Sequence, residues 1–256
     1  MGVLSLFELK DEVAIVTGAA RGLGREIAIG MAEAGADVVI FDLLGEKARK
    51  DTAAEIEKLG RRAVVVEGSV TNEDDVKGLV KRTLDDFGKI DILVNNAGVV
   101  SWTPAEEMEF KEWHRVLDTN LNGVFICCKY VGKEMIKRKK GSIINVSSIS
   151  SFVVNNPQKQ CHYNTSKAGV DQLTKCLAFE WAPYNVRVNA VLPGYMNTQL
   201  LREADDRYLN FWRSVPAQKR IADPAELKGI FVFLASKASS YFCGSLIVAD
   251  GGYTLW

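Results

Sequence analysis

The 256-residue chain predicts a doubly wound α/β domain built on a parallel sheet, and three observations carry that prediction. Short runs rich in Val and Ile recur along the chain and alternate with longer amphipathic stretches. The runs are almost continuously apolar, the pattern of strands covered on both faces, which is how parallel sheets are buried. No repeat, low-complexity tract or Pro/Gly-rich linker interrupts the alternation. A single domain over 1–256 is therefore expected, with right-handed crossovers joining the strands.

Taken in order, the first run is VAIVTG (13–18), which leads straight into TGAARGLGREIA (17–28). In the stretch that follows, Ile27, Met31 and Ala34 share one side of a helix that Gly35 can stop. ADVVIFD (36–42) is the second run and ends in Asp42; RAVVVEG (62–68) is the third and continues into Ser69-Val70. DILVNNAG (91–98) is the fourth. A helix beginning near residue 106 runs through EWHRVLDTNLNGVFICC with Asn120 in its middle. SIINVSS (142–148) is the fifth run. KAGVDQLTKCLAFEWAP then sets Val170, Leu173, Leu177 and Trp181 on one helical stripe before Pro183. VRVNAVLPG (186–194) and SLIVADGG (245–252) complete the set. Between these two lies LREADDRYLNFWRSVP, amphipathic through Leu201, Tyr208, Phe211 and Trp212. Placed just after a strand end, this segment is either a lid within 195–220 over a pocket or packed helices that extend the core.

Composition narrows the class. Lys plus Arg and Asp plus Glu both number 32, so no net field points to nucleic acid or to a membrane surface. KRKKG (137–141) reads as a solvated helix C-terminus, where cations suit the dipole, rather than a nucleic-acid patch. Five cysteines show neither CxxC pairing nor metal-ligand spacing, so no metal is expected and the thiols read as reduced. MGVLSLFELKDE lacks the basic start and apolar run of a signal peptide, and no apolar run is long enough to span a bilayer. A cytoplasmic protein is the expectation.

The glycines at 18, 22 and 24, with Arg21 and Leu23 between them, sit between the first run and the first helix. Glycine there allows a tight turn and close backbone approach, and the helix N-terminus offers amides to a pyrophosphate. The spacing is G-x-x-x-G-x-G, and the bland alternative is a simple turn. Asp42 lies 18 residues after Gly24. A carboxylate at that strand end can accept the ribose hydroxyls of NAD and would repel the 2′-phosphate of NADP. Arg21 pulls the other way, but a flexible Arg can turn to solvent, so NAD is favoured over NADP. At Asn95-Asn96-Ala97-Gly98 small residues let a nucleotide lie flat, with Asn96 a contact, unless the segment is only an Asn-rich turn.

Tyr163 and Lys167 are four residues apart, on one face if this segment is helical. Tyrosine is a poor base because its phenol titrates near 10, and bringing that to about 7 takes roughly 4 kcal/mol. A neighbouring ammonium acts in that direction, and a nicotinamide cation would add to it. Ser147-Ser148 end the fifth run, where a hydroxyl faces the crevice of a parallel sheet. Asn120 is a poor interior helix residue, which suggests a local role for its side chain.

TGAARGLG (17–24), NNAG (95–98), Asn120, Ser148, YNTSK (163–167) and Pro193-Gly194, in this order, resemble the short-chain dehydrogenase/reductase family over essentially the whole chain. That resemblance implies a seven-stranded, single-domain Rossmann fold and hydride transfer between a nicotinamide and a carbonyl or alcohol. It makes Tyr163 the general acid/base, and Lys167 the residue that lowers its pKa and holds the nicotinamide ribose. Ser148 would bind the substrate oxygen, and Asn120 would hold a relay water. Met196 and Thr198, after Pro193-Gly194, look like the groups that fix the nicotinamide amide. A homotetramer through long helices and the last strand is implied as well. Where the family usually has Asp-Val to bind adenine, this chain has Ser69-Val70, so Ser69 is left as a neutral partner. Ser148 and Tyr163 are 15 residues apart, longer than in the ketoacyl-carrier-protein reductases.

The longer segment SISSFVVNNPQKQCHYNTSK and the ending ADGGYTLW are similar to polyol and sugar-alcohol members such as galactitol dehydrogenases. Ser150 and Asn155 are then candidates to bind neighbouring hydroxyls, beside Ser148 and Tyr163; alternatively Asn155 and Asn156 only shape a turn before Pro157. His162 reads as a neighbour of Tyr163 and His114 as a surface group. The leading expectation is an NAD-dependent dehydrogenase interconverting a polyol, or a sugar-acid hydroxyl, with its ketose. A 3-oxoacyl-carrier-protein reductase would instead prefer NADPH and present a basic surface to its acidic carrier. A silent NAD-binding sensor or scaffold would be expected to lack one of Asn120, Ser148, Tyr163 and Lys167, and all four are present.

Overall fold

The structure, a computed structural model, describes residues 2–202 and 205–255; Glu203 and Ala204 of the expected lid lie outside the described residues. Each Val/Ile run is a strand: β1 (Val13–Thr17), β2 (Asp37–Asp42), β3 (Ala63–Glu67), β4 (Ile92–Asn95), β5 (Gly141–Val146), β6 (Val186–Pro193) and β7 (Leu246–Ala249). They pair in parallel in the order β3-β2-β1-β4-β5-β6-β7. Successive side chains on a strand point to opposite faces. Ala14, Val16, Val38 and Ile40 therefore enter one core, with α1 (Gly22–Glu33), α2 (Glu46–Lys58) and α9 (Lys228–Ala235) against it. Val13, Ile15, Val39 and Phe41 enter the other, under α3 (Glu73–Phe87), α5 (Gly123–Arg138) and α6 (Cys161–Trp181). Both faces of the sheet are thus covered.

The order of connection reverses between β1 and β4, so a crevice opens at their carboxyl ends, where such sheets bind ligands. Around that point the helix expected from residue 106 onward is broken. A short 3-10 turn (Ala105–Glu107) is followed by α4 (Phe110–Leu117), a π-helical turn (Asp118–Asn122) and α5. After β6 come α7 (Gln199–Arg202) and α8 (Asp206–Ser214). Beyond them α9 buries Phe231 and Leu234 in the core, so only the first part of the segment after β6 stands over the crevice.

KRKKG is the exposed carboxyl end of α5, as expected, and two of its cations also form ion pairs. Arg138 pairs with buried Asp91 at 2.9 Å, and Lys140 with Glu12 at 2.8 Å, because β5 starts beside the amino end of β4. Asp91 also accepts the Val13 amide at 3.0 Å. Among the described residues no helix is long and apolar enough to cross a membrane.

Candidate active site

At the end of β1 the chain turns through Gly18 (φ +65°) and Gly22 (φ +57°), left-handed backbone that glycine adopts without a Cβ clash. Gly24 is needed for space, since a Cβ there would lie 2.1 Å from the Gly18 carbonyl oxygen. The turn delivers the chain to the amino end of α1, whose first amides have no helical partner. Asn96 braces it, its Nδ2 donating to the carbonyls of Thr17 and Gly18 at 3.0 Å each. In return Thr17 Oγ1 accepts the Asn96 and Ala97 amides, also at 3.0 Å. Asn96, expected to contact a nucleotide, thus holds the glycine loop as it lines the cleft. Thr17 was not singled out by its sequence; a strand-end threonine is too common to signal a site.

The cleft has a volume of about 440 Å³ and runs from Asp42 and Gly68 past the glycine loop to Thr198. Asp42 is buried at its rim, Oδ2 accepting the Ala20 amide (2.8 Å) and Oδ1 the Leu44 amide (2.9 Å). Each oxygen keeps a further lone pair for a hydroxyl. Behind it lies an unanticipated buried cation, Arg49, which donates to the carbonyls of Asp42 and Leu44 and pairs with Glu67 at 2.5 Å. Arg21 is exposed and reaches Gln199 of α7 at 3.2 Å. Ser69 turns its hydroxyl to Thr71 (2.8 Å), while its neighbours Gly68 and Val70 line the cleft.

A second cavity, of about 260 Å³, shares the walls Leu23, Asn96, Gly98, Val99 and Thr198 with the first. Ser148, Tyr163 and Lys167 line it together with Pro193, Gly194 and Met196. Gly194 is compelled by packing, because a Cβ would sit 2.8 Å from Asp250 Cα. Ser148 caps the turn Ile149–Ser151, accepting the Ser150 amide at 3.1 Å and donating to Ser150 Oγ at 3.0 Å. On α6, the Lys167 ammonium donates to the Val146 carbonyl at 2.8 Å and lies 5.6 Å from the Tyr163 ring centroid.

The expected electrostatics of this pair are reversed in the free chain. Burial pushes the Tyr163 phenol up, against a smaller downward pull from the Ser148 hydroxyl. Burial also lowers Lys167 to about 8, opposed by the Asp171 carboxylate one turn along. The ammonium is tied to a backbone carbonyl, and loss of water dominates both groups.

Asn120 lies on the π-helical turn and is fully buried. Its Oδ1 accepts the Val99 amide (2.8 Å), and its Nδ2 donates to the Val99 carbonyl (2.9 Å) and to Ser166 Oγ (3.2 Å). Both amide hydrogens are engaged, so the side chain latches the loop after β4 to α6. The expected relay water would have to be held by other atoms of the residue.

The far wall contains groups that sequence reasoning passed over. Ser150 and Asn155, the candidate hydroxyl-binding residues, are buried in this wall. Asn155 therefore does more than shape a turn, whereas Asn156 is exposed. Gln160 donates to Asn155 Oδ1 at 3.2 Å, and Asn155 donates to the Tyr195 hydroxyl at 3.3 Å. Gln158 also donates to that hydroxyl, at 2.8 Å, and accepts the Trp212 indole N–H at 3.1 Å. Tyr195 stacks on Trp212 with centroids 4.8 Å apart, and Trp102 meets both Tyr208 and Trp212 edge-on at 5.5 Å. His162 is outside this wall: it is buried beside Ser101 Oγ (2.8 Å), which in turn donates to Glu112. His114 is exposed. Among the described residues no group of three or more His, Cys, Asp or Glu side chains is placed to hold a metal ion.

A glycine-lined groove at the switch point of a parallel sheet, adjoining a cavity lined by Ser148, Tyr163 and Lys167, is the architecture of a Rossmann-type dinucleotide-binding fold. A family model described as enoyl-(acyl carrier protein) reductase matches residues 18–254. Sorbose reductase of Candida albicans is 42% identical over 98% of this chain and 90% of its own length. A 2-dehydro-3-deoxy-D-gluconate 5-dehydrogenase of Pseudoalteromonas atlantica is 40% identical (98% and 99% covered), and an NADP-dependent mannitol dehydrogenase of Hypocrea jecorina 39% (98% and 96%). A short-chain type dehydrogenase/reductase from Mycobacterium marinum superposes with a TM-score of 0.96 at 41% identity, covering 99% of each chain. The chain belongs to the short-chain dehydrogenase/reductase family, whose members are oxidoreductases using a nicotinamide cofactor.

Proposed function

We propose that this chain interconverts a secondary alcohol and a ketone on a polyhydroxylated small molecule, a polyol, ketose or sugar acid, with NAD as the preferred cofactor. The observation that carries the reading is Ser148, Tyr163 and Lys167 on one cavity wall, continuous with the glycine-loop cleft. The names of its relatives, a sorbose reductase, a mannitol dehydrogenase and a sugar-acid dehydrogenase, support the substrate class.

The cleft fits a dinucleotide: a Cβ at Gly24 would collide with the Gly18 carbonyl and one at Gly18 with Ala97, so the loop's backbone lies open to the cleft, and Asp42 retains acceptor capacity at the rim. Gly18, Gly22, Leu23 and Gly24 would cradle the pyrophosphate with Arg21 nearby, and Asp42 would hold the adenosine ribose. Ser69 and Val70 border the adenine end. Asn96, Gly98, Pro193, Gly194, Met196 and Thr198 line the nicotinamide end. The bound nicotinamide supplies the hydride acceptor or donor. Ser148 holds the substrate oxygen, and Tyr163 takes its proton in oxidation or returns it in reduction. Lys167 binds the ribose and favours tyrosinate once the site is filled, and Asn120 positions the loop that closes the cavity. NAD is favoured because the fixed Asp42 charge would face a 2′-phosphate, although the mannitol dehydrogenase relative is NADP-dependent.

The remaining parts of the reading are structural. The chain acts as a single domain over 1–256, with α7 and α8 as the lid. Exposed Phe125 on α5, Phe179 on α6 and Val248 on β7 support a homotetramer through those elements. Five free cysteines suit a reducing, cytoplasmic setting. The test is Tyr163→Phe assayed on hexitols. Turnover should fall by roughly 10²–10⁴-fold, while NAD binding followed by nucleotide fluorescence stays within about twofold, as expected for a group whose proton serves chemistry rather than binding. Robust turnover by the variant would refute the assignment.

A further inference from the structure

The cavity beside Tyr163 is lined by apolar side chains and by uncharged polar ones, with Lys167 as its one basic group among the described residues. Among the described residues its lining includes no arginine, histidine, aspartate or glutamate. Its one ammonium, Lys167, is held by the Val146 carbonyl at 2.8 Å. Arg21, on the cofactor side, is turned to Gln199. The polar groups around the reacting position are hydroxyls and primary amides: Ser148, Ser150, Asn155, Gln158, Gln160 and Tyr195.

These groups are also held in place. Gln158 is bonded to both Tyr195 (2.8 Å) and Trp212 (3.1 Å), and Gln160 to Asn155 (3.2 Å) and Asn164 (3.1 Å). A fixed wall of amides and hydroxyls both donates and accepts, as does a row of alcohol groups. Beside it Tyr195, backed by Trp212, offers an aromatic ring to the carbon skeleton. A carboxylate only accepts hydrogen bonds and carries a charge, and a half-buried charge without a cation is strongly disfavoured.

We infer that the substrate is an uncharged polyol or ketose and that the cavity discriminates against its sugar-acid counterparts. The inference rests on the proposed dehydrogenase reading and narrows it. It also separates this chain from the sugar-acid dehydrogenase that it resembles at 40% identity.

The full-length protein is assayed with NAD and with NADP in two series. One is neutral (D-mannitol, D-sorbitol, galactitol, and in reverse D-fructose and L-sorbose). The other is acidic (D-gluconate and in reverse 5-keto-D-gluconate). The best neutral substrate should exceed the best acid by about 100-fold or more in kcat/KM, the loss expected when a carboxylate is desolvated against uncharged groups. An acid turned over equally well or better overturns the inference and leaves the dehydrogenase reading standing. Turnover of neither series overturns the dehydrogenase reading and the inference with it. Asn155→Lys, which brings an ammonium to the wall, should shrink the neutral-to-acid ratio by about tenfold, chiefly through KM for gluconate. Gln158→Arg is the second variant, and folding of both is checked by thermal melting. An unchanged ratio in the folded variants would remove the wall from the explanation.

Discussion

The indole N–H of Trp212 donates to the side-chain carbonyl of Gln158 across 3.1 Å, in a contact where both residues are buried. It ties α8 to the loop that enters α6, and through the Gln158–Tyr195 bond to the residues after β6. α8, the loop that enters α6 and the end of β6 therefore meet at one amide.

Gln158→Leu would strand the Trp212 N–H and loosen the Tyr195 hydroxyl inside a buried wall. Stability should fall by about 1–3 kcal/mol, the usual consequence of an unsatisfied buried polar group. Urea unfolding measures that loss. Substrate KM should rise while the NAD dissociation constant stays near wild type; an equal rise in both would mean that the bond supports the fold and not the substrate wall.

Asp42 is oriented by the Ala20 and Leu44 amides, so its charge cannot turn away from a 2′-phosphate. Asp42→Ala should lower the NAD-to-NADP ratio of kcat/KM by about tenfold or more, because a like-charge contact is removed. An unchanged ratio would take cofactor choice away from this residue and move attention to Arg21 and Arg49.

Lys167 is lowered to about 8 by burial, and Asp171 resists that lowering. Above that pH the free chain loses the ammonium proposed to hold the ribose, so NAD affinity should weaken as pH rises past 8. Removing the Asp171 charge in Asp171→Asn lowers the lysine further, and the weakening should begin at lower pH. Titrating NAD binding from pH 6 to 9.5 would settle it; superimposable profiles for the two proteins would exclude the coupling.

Burial alone would raise the Asp91 carboxyl, but the Arg138 guanidinium, the Val13 amide, Lys140 and Lys89 together hold it below its ordinary value. A depressed carboxyl stabilises the fold above its unfolded pKa of about 3.9 and loses that contribution as pH falls through the folded value. Asp91→Asn should cost about 3 kcal/mol at pH 7, as expected when one partner of a buried ion pair is removed. The gap between variant and wild type in urea unfolding should persist to about pH 5 and shrink below about pH 4. A gap independent of pH would show that the charge is not what stabilises this corner.

The strands are legible in the sequence because burial on both faces leaves a strand little choice but Val, Ile and Leu, and each Val/Ile run became one. The break in the helix expected from residue 106 is not legible in the same way. Apolar spacing continues through it, and the π-helical turn coincides with a bond from Asn120 to Val99, 21 residues earlier. Likewise the YNTSK spacing predicts that Tyr163 and Lys167 share a face, and they do, on α6. That the ammonium rests on Val146, and that burial raises the phenol in the free chain, depends on β5 lying beneath that helix.

By itself, the sequence determined the strand runs, the glycine turn before the first helix, the position of Asp42 at a strand end and the helical spacing of the tyrosine and lysine. Each depends on local backbone conformation or short-range periodicity, which neighbouring residues set. Only the tertiary structure decided that Gln158 meets Trp212, that Asn96 braces the glycine loop, and that Asn155, Gln158 and Gln160 line the cavity beside Tyr163. Burial, desolvation and hydrogen-bond partnership belong to a side chain's surroundings, and those are assembled from residues tens of positions away along the chain.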